Sequence, residues 1–525
     1  MSTPISAIRV NKNWVIYAGI LIGSIIIASL FPITNDESYY IAFSKHLQLS
    51  YVDAPPFVAY LNVIQVKLGL TSPLYTRALV IALHLLSTLF LLAIVRNHCT
   101  YDDDLASKIL ITFLLAYLIP IFGLFGIFIL PDCGLILSLS ILLWAADTII
   151  RTNNLRWKDA VILGIGLGVG LLAKYHILPL GGGILLGLFI ELSLRSKFSW
   201  YNVTKLLFSV SIALLCALPL FIWNVEYHFA SFRFQLEHGF SSTHWQLSSL
   251  LLFILGSIVY LTPWFSFILL KRGLFLKKHW YLFIPVGSLL IILLASSLRK
   301  NVLPHWISPA FWLLIPYSVI YSKRKLGQLN SLMTLCKMTA LIWVGLIGVL
   351  LLPGGLMNIK QVSLMFNSDA RVFKDLLLWQ ELPNLLKKNI SINHTIDNAL
   401  QQKQNPRCST KKPIIATLRW FWAAQLEYHG LFPGTKIINL DQHSSNFYLW
   451  RDRWSDYAYC NILVIGEAHN RNVSTLAKII SIRHQYTSHG LGDYRSLNVQ
   501  LIDATLKDST TLQKVQSTLI SHPHY

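Results

Sequence analysis

Charge is scarce in this chain. Only 13% of its 525 residues are Asp, Glu, Lys or Arg, against about 25% in soluble domains. Mean hydropathy is positive, at +0.53. The shortage excludes an ordinary soluble enzyme and places most of the chain in lipid. Acidic residues are the scarcer sign, 24 against 44 Lys and Arg, for a formal net charge of +20. That excess does not imply nucleic acid, because the cations lie in short loops between apolar runs, the arrangement that orients a membrane protein. No P-loop, CxxC pair or Ser-His-Asp order stands out, and no short-period solenoid repeat is present. The run Gly164-x-Gly166-x-Gly168-x-Gly170 lies inside an apolar span with no strand before it. Close helix packing explains it, as it does Gly181-Gly182-Gly183, and dinucleotide binding does not. A cleavable signal is not expected either: the first apolar run is long enough to span and no small-residue cleavage site precedes the acidic motif.

What the chain does have is long apolar segments. About eleven spans are expected, near 14–32, 74–95, 108–126, 132–150, 159–173, 177–194, 204–223, 247–270, 280–297, 305–321 and 334–353. The stretch 108–150 is broken only around Pro120 and Pro131-Asp132, so an extra short helix there would raise the count to twelve or thirteen. Alternate loops carry very different charge. One set holds Arg9, Lys12, Arg96, Arg151, Arg156, Lys158, Arg195, Lys197, Lys271, Arg272, Lys277, Lys278, Lys323, Arg324 and Lys325. The other holds only Lys45, Lys67, Lys174, Arg233, Arg299 and Lys300 before the tail. The first set therefore faces the cytoplasm, with the amino terminus. The loop after the first span and the tail face outward.

That first outer loop, residues 33–73, concentrates chemistry. Asn35-Asp36-Glu37-Ser38-Tyr39-Tyr40 and Tyr51-Val52-Asp53-Ala54-Pro55-Pro56 bring Asp36, Glu37 and Asp53 together with several tyrosines at the lip of the membrane. Carboxylates so placed bind cations, relay protons or deprotonate an acceptor hydroxyl. The alternative is a solvated loop in which Asn35 or Asp36 starts one helix and Pro55-Pro56 another. Tyr39, Phe43, His46 and Leu47 fall at helix spacing, as do Phe57, Tyr60, Leu61 and Ile64, so two short amphipathic helices at the interface are expected. Aromatic-belt packing accounts for most of the tyrosines.

Later outer loops carry cations. Arg233 lies between Phe232 and Phe234 at a membrane boundary, where a lipid phosphate is the natural counter-ion. Lys174-Tyr175-His176 separates two spans with almost no loop; Lys174 either snorkels to headgroups or meets a lipid-linked phosphate. Arg299-Lys300 and Pro304-His305-Trp306 flank another outer turn. Asp132, just after Pro131, suits a helix start and its dipole, or a cavity. His228, Glu237, His238 and His244 form a candidate divalent-metal group, but their spacing matches no strong metal motif, and polar residues on a solvated loop are the better explanation.

In this order the segments resemble bacterial polyprenyl-phosphate-sugar-dependent glycosyltransferases of the GT-C fold, relatives of dolichyl-phosphate-mannose protein mannosyltransferases and aminoarabinose (lipid A) transferases. The resemblance rests on Asp36-Glu37-x-Tyr39-Tyr40, Tyr51-x-Asp53-x-Pro55-Pro56, Pro131-Asp132, Gly170-Leu171-Leu172-Ala173-Lys174-Tyr175, Trp223-Asn224, Ser231-Phe232-Arg233-Phe234-Gln235 and His305-Trp306. It covers roughly residues 10 to 350, with a weaker echo in the tail. Ala54 stands where a His often precedes the Pro pair. The resemblance implies transfer of a hexose or pentose from a polyprenyl-phosphate carrier to a glycolipid, glycan or protein acceptor on the outer face of the inner membrane, with inversion. Asp36, Glu37 and Asp53 are the expected catalytic carboxylates. Arg233, Lys174, Arg299, Lys300 and His305 are expected at the donor phosphate, and Tyr39, Tyr40 and Gln235 around the substrate. The resemblance implies no definite cofactor and leaves a divalent metal open. A transporter or flippase is the rival class; it would place charges within spans and show broken inverted repeats, whereas here the charges gather at span ends on one face.

After Pro353-Gly354-Gly355 the composition turns polar, so residues 1–353 form the membrane domain and 354–525 a second, outward domain. Pro413 to Leu418, Lys436 to Leu440 and Asn461 to Gly466 read as strands and Trp420 to Tyr428 as a helix, an α/β fold. The segment 441–448 reads as a polar loop. Cys99, Cys133, Cys216 and Cys336 read as buried thiols, while Cys408 and Cys460, alone in the outward domain, are candidates for a disulfide.

Overall fold

The computed structural model describes residues 13–102, 104–195, 199–240, 245–272, 279–323, 326–351, 379, 401, 403–441, 447–467, 477–487 and 498–521. The side chains of Glu237 and His238, all of His244, and residues 442–446 lie outside this description. The chain divides into two compact units. The first comprises residues 1–31, 48–50 and 54–353; the second joins residues 32–47 and 51–53 to the tail from Gly354.

The first unit is helical. It opens with α1 (Trp14–Leu30), while α2 (Asn35–Lys45) belongs to the second unit. Then follow α3 (Phe57–Lys67), α4 (Pro73–His98), α5 (Leu105–Leu118), α6 (Pro120–Phe125), α7 (Asp132–Thr152), α8 (Trp157–Ala173) and α9 (Ile177–Arg195). Next come α10 (Trp200–Cys216), α11 (Leu218–Glu226), α12 (Ala230–Phe240), α13 (Leu247–Tyr260), α14 (Pro263–Arg272) and α15 (Trp280–Ser297). A 3-10 turn at Pro304–Ile307, then α16 (Ser308–Trp312), α17 (Ile315–Ile320) and α18 (Gln328–Leu351) complete it. Each expected span has a helix or a broken pair of helices at its place, and α6 is the extra short helix that Pro120 makes in 108–150. Among the described residues, α4, α7, α9, α15 and α18 are individually long and apolar enough to cross a membrane. Others are broken: α10 and α11 bend by 57° ahead of Pro219, where proline cannot continue the hydrogen-bond ladder.

The glycine run works as a packing surface. A Cβ on Gly164 or Gly168 would stand 2.7 Å from the Ser209 carbonyl oxygen or 2.5 Å from the Cys216 Cβ, both on α10. One on Gly170 would stand 2.5 Å from the Ser138 hydroxyl of α7. Helix α8 is therefore clasped on two sides by backbone and side-chain atoms close enough that a Cβ would collide with them. At the end of α1, the fully buried Arg77 donates from one guanidinium nitrogen to the carbonyls of Ala28 (2.9 Å) and Phe31 (2.7 Å), and lies 4.9 Å from the Phe128 ring centroid. It satisfies carbonyls that a helix end leaves open, and so anchors the end of α1.

The second unit carries a mixed sheet in the order β2-β1-β3-β5-β4. Strands β1 (Ile414–Thr417) and β2 (Lys436–Asn439) pair in parallel across helix α19 (Trp420–His429), and β1 also pairs in parallel with β3 (Asn461–Glu467). The short α20 (Phe447–Arg451) lies between β2 and β3. Strands β4 (Ala477–Thr487) and β5 (Asn498–Leu506) extend the sheet antiparallel, and α21 (Ser509–Ser521) follows. The first three strands and α19 match the expected segments to within a residue or two; β4, β5 and α21 lie beyond them. Cys408 and Cys460 are bonded, with Cα atoms 4.7 Å apart, tying the chain ahead of β1 to the start of β3.

Helix α2 departs from the amphipathic expectation. Glu37, Ser38, Tyr39, Ile41, Ala42, Phe43 and Ser44 are all buried, so both polar and apolar positions are covered. Its aromatic side packs within the second unit: the Tyr39 ring lies 4.5 Å from Trp420, and Phe43 lies 3.9 Å from Tyr51 and 4.9 Å from Phe447.

Candidate active site

The acidic motif resolves into three different carboxylates. Thr34 caps α2: its hydroxyl accepts the Glu37 N–H (3.2 Å), and the Glu37 carboxylate accepts the Thr34 N–H (3.0 Å). This is a capping box. The helix starts at Asn35, as expected, with Thr34 as its cap, and Glu37, with no surface exposed, serves the helix end. Asp36, the next residue around a helix that turns about 100° per residue, instead reaches solvent. Its surroundings are nonetheless crowded. That crowding first, and the neighbouring Glu37 charge second, hold the Asp36 carboxyl above the usual carboxylate range, though its solvent contact tempers the effect. Asp53 is half-buried and receives the hydroxyl of Tyr39. Tyr39 in turn accepts the Phe447 N–H at 2.7 Å. Tyr39 is therefore a buried bridge inside the second unit, while Tyr40 is half-buried with its ring 5.6 Å from Phe43.

The first unit holds the cations. Lys174 donates to both carboxylate oxygens of Asp132 at 2.9 Å, with side chains 17% and 5% exposed. The sequence placed Asp132 at a helix start; the structure adds that α7 and the α8–α9 turn present opposite charges to each other. His176 and His305 share this field. Burial first, and the Lys174 charge second, push His176 down to about 3, so its imidazole is neutral and stacks edge-on with Trp306 at 5.5 Å. His305 lies between Phe125 (6.5 Å) and Tyr260 (6.0 Å). Next to Lys174, the Tyr175 hydroxyl meets the Ser231 hydroxyl at 2.5 Å, and Ser231 donates to the Asn224 side-chain oxygen at 3.0 Å. This chain of bonds fixes the first turn of α12, after a sharp corner in which His228 and Phe229 both adopt positive φ (52° and 59°). Arg233 is then exposed on α12, with Gln235 half-buried. Arg299 is exposed and Lys300 half-buried in the turn after α15, where burial pushes the Lys300 ammonium down to about 8.

Asp132 with Lys174, and Tyr175 with Ser231 and Asn224, are polar pairings that spacing alone did not reveal. The Asp132–Lys174 and Tyr175–Ser231 contacts join residues 42 and 56 positions apart, from the α8–α9 turn to other helices. Among the described residues, no group of three or more His, Cys, Asp or Glu is arranged to hold a metal. The candidate group around His228 falls mostly outside the described residues.

Residues 53–223 match the family model described as dolichyl-phosphate-mannose-protein mannosyltransferase. No curated protein sequence matches the chain significantly. Among solved structures, ArnT from Cupriavidus metallidurans bound to undecaprenyl phosphate is similar, with a TM-score of 0.59 at 15% identity over 94% of this chain and 98% of that one. ArnT from the same organism in the apo state gives 0.58 at 15% identity, over 96% and 99%. A likeness spanning both units almost end to end establishes the architecture: this chain has the GT-C fold that its ordered motifs led us to expect.

Proposed function

We propose that the chain is a membrane glycosyltransferase that moves a sugar from a polyprenyl-phosphate carrier to an acceptor on the extracytoplasmic face. The observation that carries the reading is the shared fold with ArnT, whose solved complex contains undecaprenyl phosphate. The family-model match over 53–223 and an exposed carboxylate at the head of α2 support it. The acceptor hydroxyl oxygen attacks the anomeric carbon, the bond from that carbon to the carrier phosphate breaks, and its electron pair leaves with the phosphate. The acceptor's proton passes to Asp36, a base whose raised proton affinity suits the task. One displacement inverts the anomeric centre. Glu37 acts through its charge on Asp36, and Asp53 with Tyr39 positions the helix. On the donor side, Arg233, Arg299 and Lys300 offer charge to the leaving phosphate. Lys174 joins them when a phosphate replaces Asp132 as its partner.

The acceptor is a lipid A-type or other glycolipid, a polysaccharide or a protein, and the sugar a hexose or pentose. Comparing intact masses of envelope glycolipids from cells with the wild-type chain, with Asp36→Asn and without the chain tests the reading. A mass increment of one sugar that requires the wild type is expected. Identical glycolipid, glycan and glycoprotein profiles in all three would overturn it.

A further inference from the structure

Away from the acidic motif, the second unit contains a cavity of about 290 Å³ lined by Lys45, His46, Glu427, Lys436 and Arg451. Its charges are arranged in a definite order. Glu427 is occupied on both oxygens, by His46 at 3.1 Å and Arg451 at 3.2 Å. Arg451, largely buried, also grips Asp452 through two nitrogens, at 2.6 and 3.0 Å, and donates to the Ile437 carbonyl. Four of the five guanidinium N–H groups are thereby engaged. Lys436 meets Asp452 at only 3.4 Å, and Lys45 donates to the Glu427 backbone carbonyl, which carries no charge. Two carboxylates thus face three fixed cations, and His46 adds a fourth when protonated. The floor is apolar, from Leu426, Phe432 and Ile437. Excess positive charge above an apolar floor suits a phosphate attached to a saccharide ring. The ring covers the floor and the phosphate meets Lys45 and Lys436.

Position gives the cavity a purpose. Lys45 and His46 close the helix that Asp36 opens. Nine residues at 1.5 Å each set the two ends about 14 Å apart, too far for the reacting hydroxyl yet within one extended acceptor.

We propose that this cavity is a subsite for a phosphorylated saccharide group of the acceptor, held at one end of α2 while the acceptor hydroxyl meets Asp36 at the other. The acceptor assignment rests on the glycosyltransferase reading; the anion site does not.

Binding is measured on the full chain in detergent by equilibrium dialysis against glucose 1-phosphate and against inorganic phosphate. Flotation with phosphatidylcholine vesicles, with and without a phosphorylated glycolipid, completes the set. Wild type should bind the sugar phosphate more tightly than inorganic phosphate. Lys436→Gln and Lys45→Met should each weaken binding at least tenfold, Lys436→Arg should restore most of it, and Asp36→Asn should leave it unchanged. Lysine-dependent capture of the phosphoglycolipid vesicles identifies a lipid headgroup as the source, and capture of the soluble ligand alone a free sugar phosphate; either supports the site. Equal affinity for inorganic phosphate, or binding indifferent to both lysines, overturns the proposal whatever the transferase assay shows. Normal transfer by Asp36→Asn would instead overturn the catalytic reading and leave the binding result standing.

Discussion

Replacing Asp36 by Asn separates chemistry from architecture at one residue. The capping box belongs to Thr34 and Glu37, so the amide at position 36 removes no cap. What it removes from stability is one negative charge in the first turn of α2, worth about 0.3–1 kcal/mol against the helix dipole. What it removes from chemistry is the base, worth about 10²–10⁴ in rate, or roughly 2.7–5.5 kcal/mol of barrier. The catalytic loss is the larger by a wide margin, so a protein that inserts normally yet has lost two to four decades of turnover is the expected outcome. Thr34→Ala makes the converse control: losing the cap costs about 0.5–2 kcal/mol with Asp36 intact, so transfer persists in a less stable protein. The pH profile adds a third arm. On the proposed reading Asp36 must be ionised to act, its proton affinity is raised by its crowded surroundings and then by Glu37, and turnover should therefore fall as pH drops through a pKa above the ordinary carboxylate range. Glu37→Gln keeps a capping side chain but removes its charge, and should move that acid limb to lower pH. The assay is transfer from a polyprenyl-phosphate-linked sugar, with the detergent melting temperature read in parallel. Near-normal transfer by well-inserted Asp36→Asn refutes the assignment.

Arg233→Ala should raise the donor KM roughly ten- to a hundredfold, the scale of a hydrogen bond to a charged group, with Lys recovering only part for want of the planar fork; unchanged donor binding would make Arg233 an ordinary interface residue. Lys174→Met alone strands Asp132, and losing one partner of a buried pair costs about 3–5 kcal/mol. Lys174→Met with Asp132→Asn should regain that stability but not donor use, and equal melting temperatures for the single and double variants would refute the pairing. Cys408 and Cys460 are 52 positions apart, so opening their disulfide should remove about 4 kcal/mol on the chain-entropy account; an unchanged melting curve for Cys408→Ser with Cys460→Ser would count against it. A cysteine introduced at Lys411 should be labelled by an impermeant reagent from outside, and one at Lys277 only after the membrane is opened; the reverse pattern would invert the topology.

The parts of the fold that were legible are those where one physical demand fills a whole segment. Lipid requires long apolar runs, and these marked the helices even where Pro120 or Pro219 breaks them. The buried parallel strands at Ile414–Thr417 and Lys436–Asn439 are short apolar runs for the same reason. Strand β4 has Lys478, Arg483 and His484 within it, and no apolar face announces it. The capping box is legible in the sequence: Thr34-x-x-Glu37 is the signature of a helix start, and it separates the role of Glu37 from that of Asp36. The Asp132–Lys174 pair was not legible, because 42 residues and a helix turn-around lie between its members.

The least legible feature is where α2 belongs. Hydropathy assigns the loop after the first span to the membrane domain that precedes and follows it. The packing groups residues 32–47 with the tail instead, through partners almost four hundred residues away. The Gln425 side chain donates to the Ile33 carbonyl at 3.1 Å, Phe447 donates to Tyr39, and Glu427 takes His46. These contacts run the length of the helix. An exposed carboxylate gains nothing from being near an acceptor unless its orientation is fixed before the acceptor arrives. An eleven-residue helix cannot fix that orientation by itself, since segments of that length are marginal in water. The tail therefore turns a short, weak helix into a rigid mount for the Asp36 side chain.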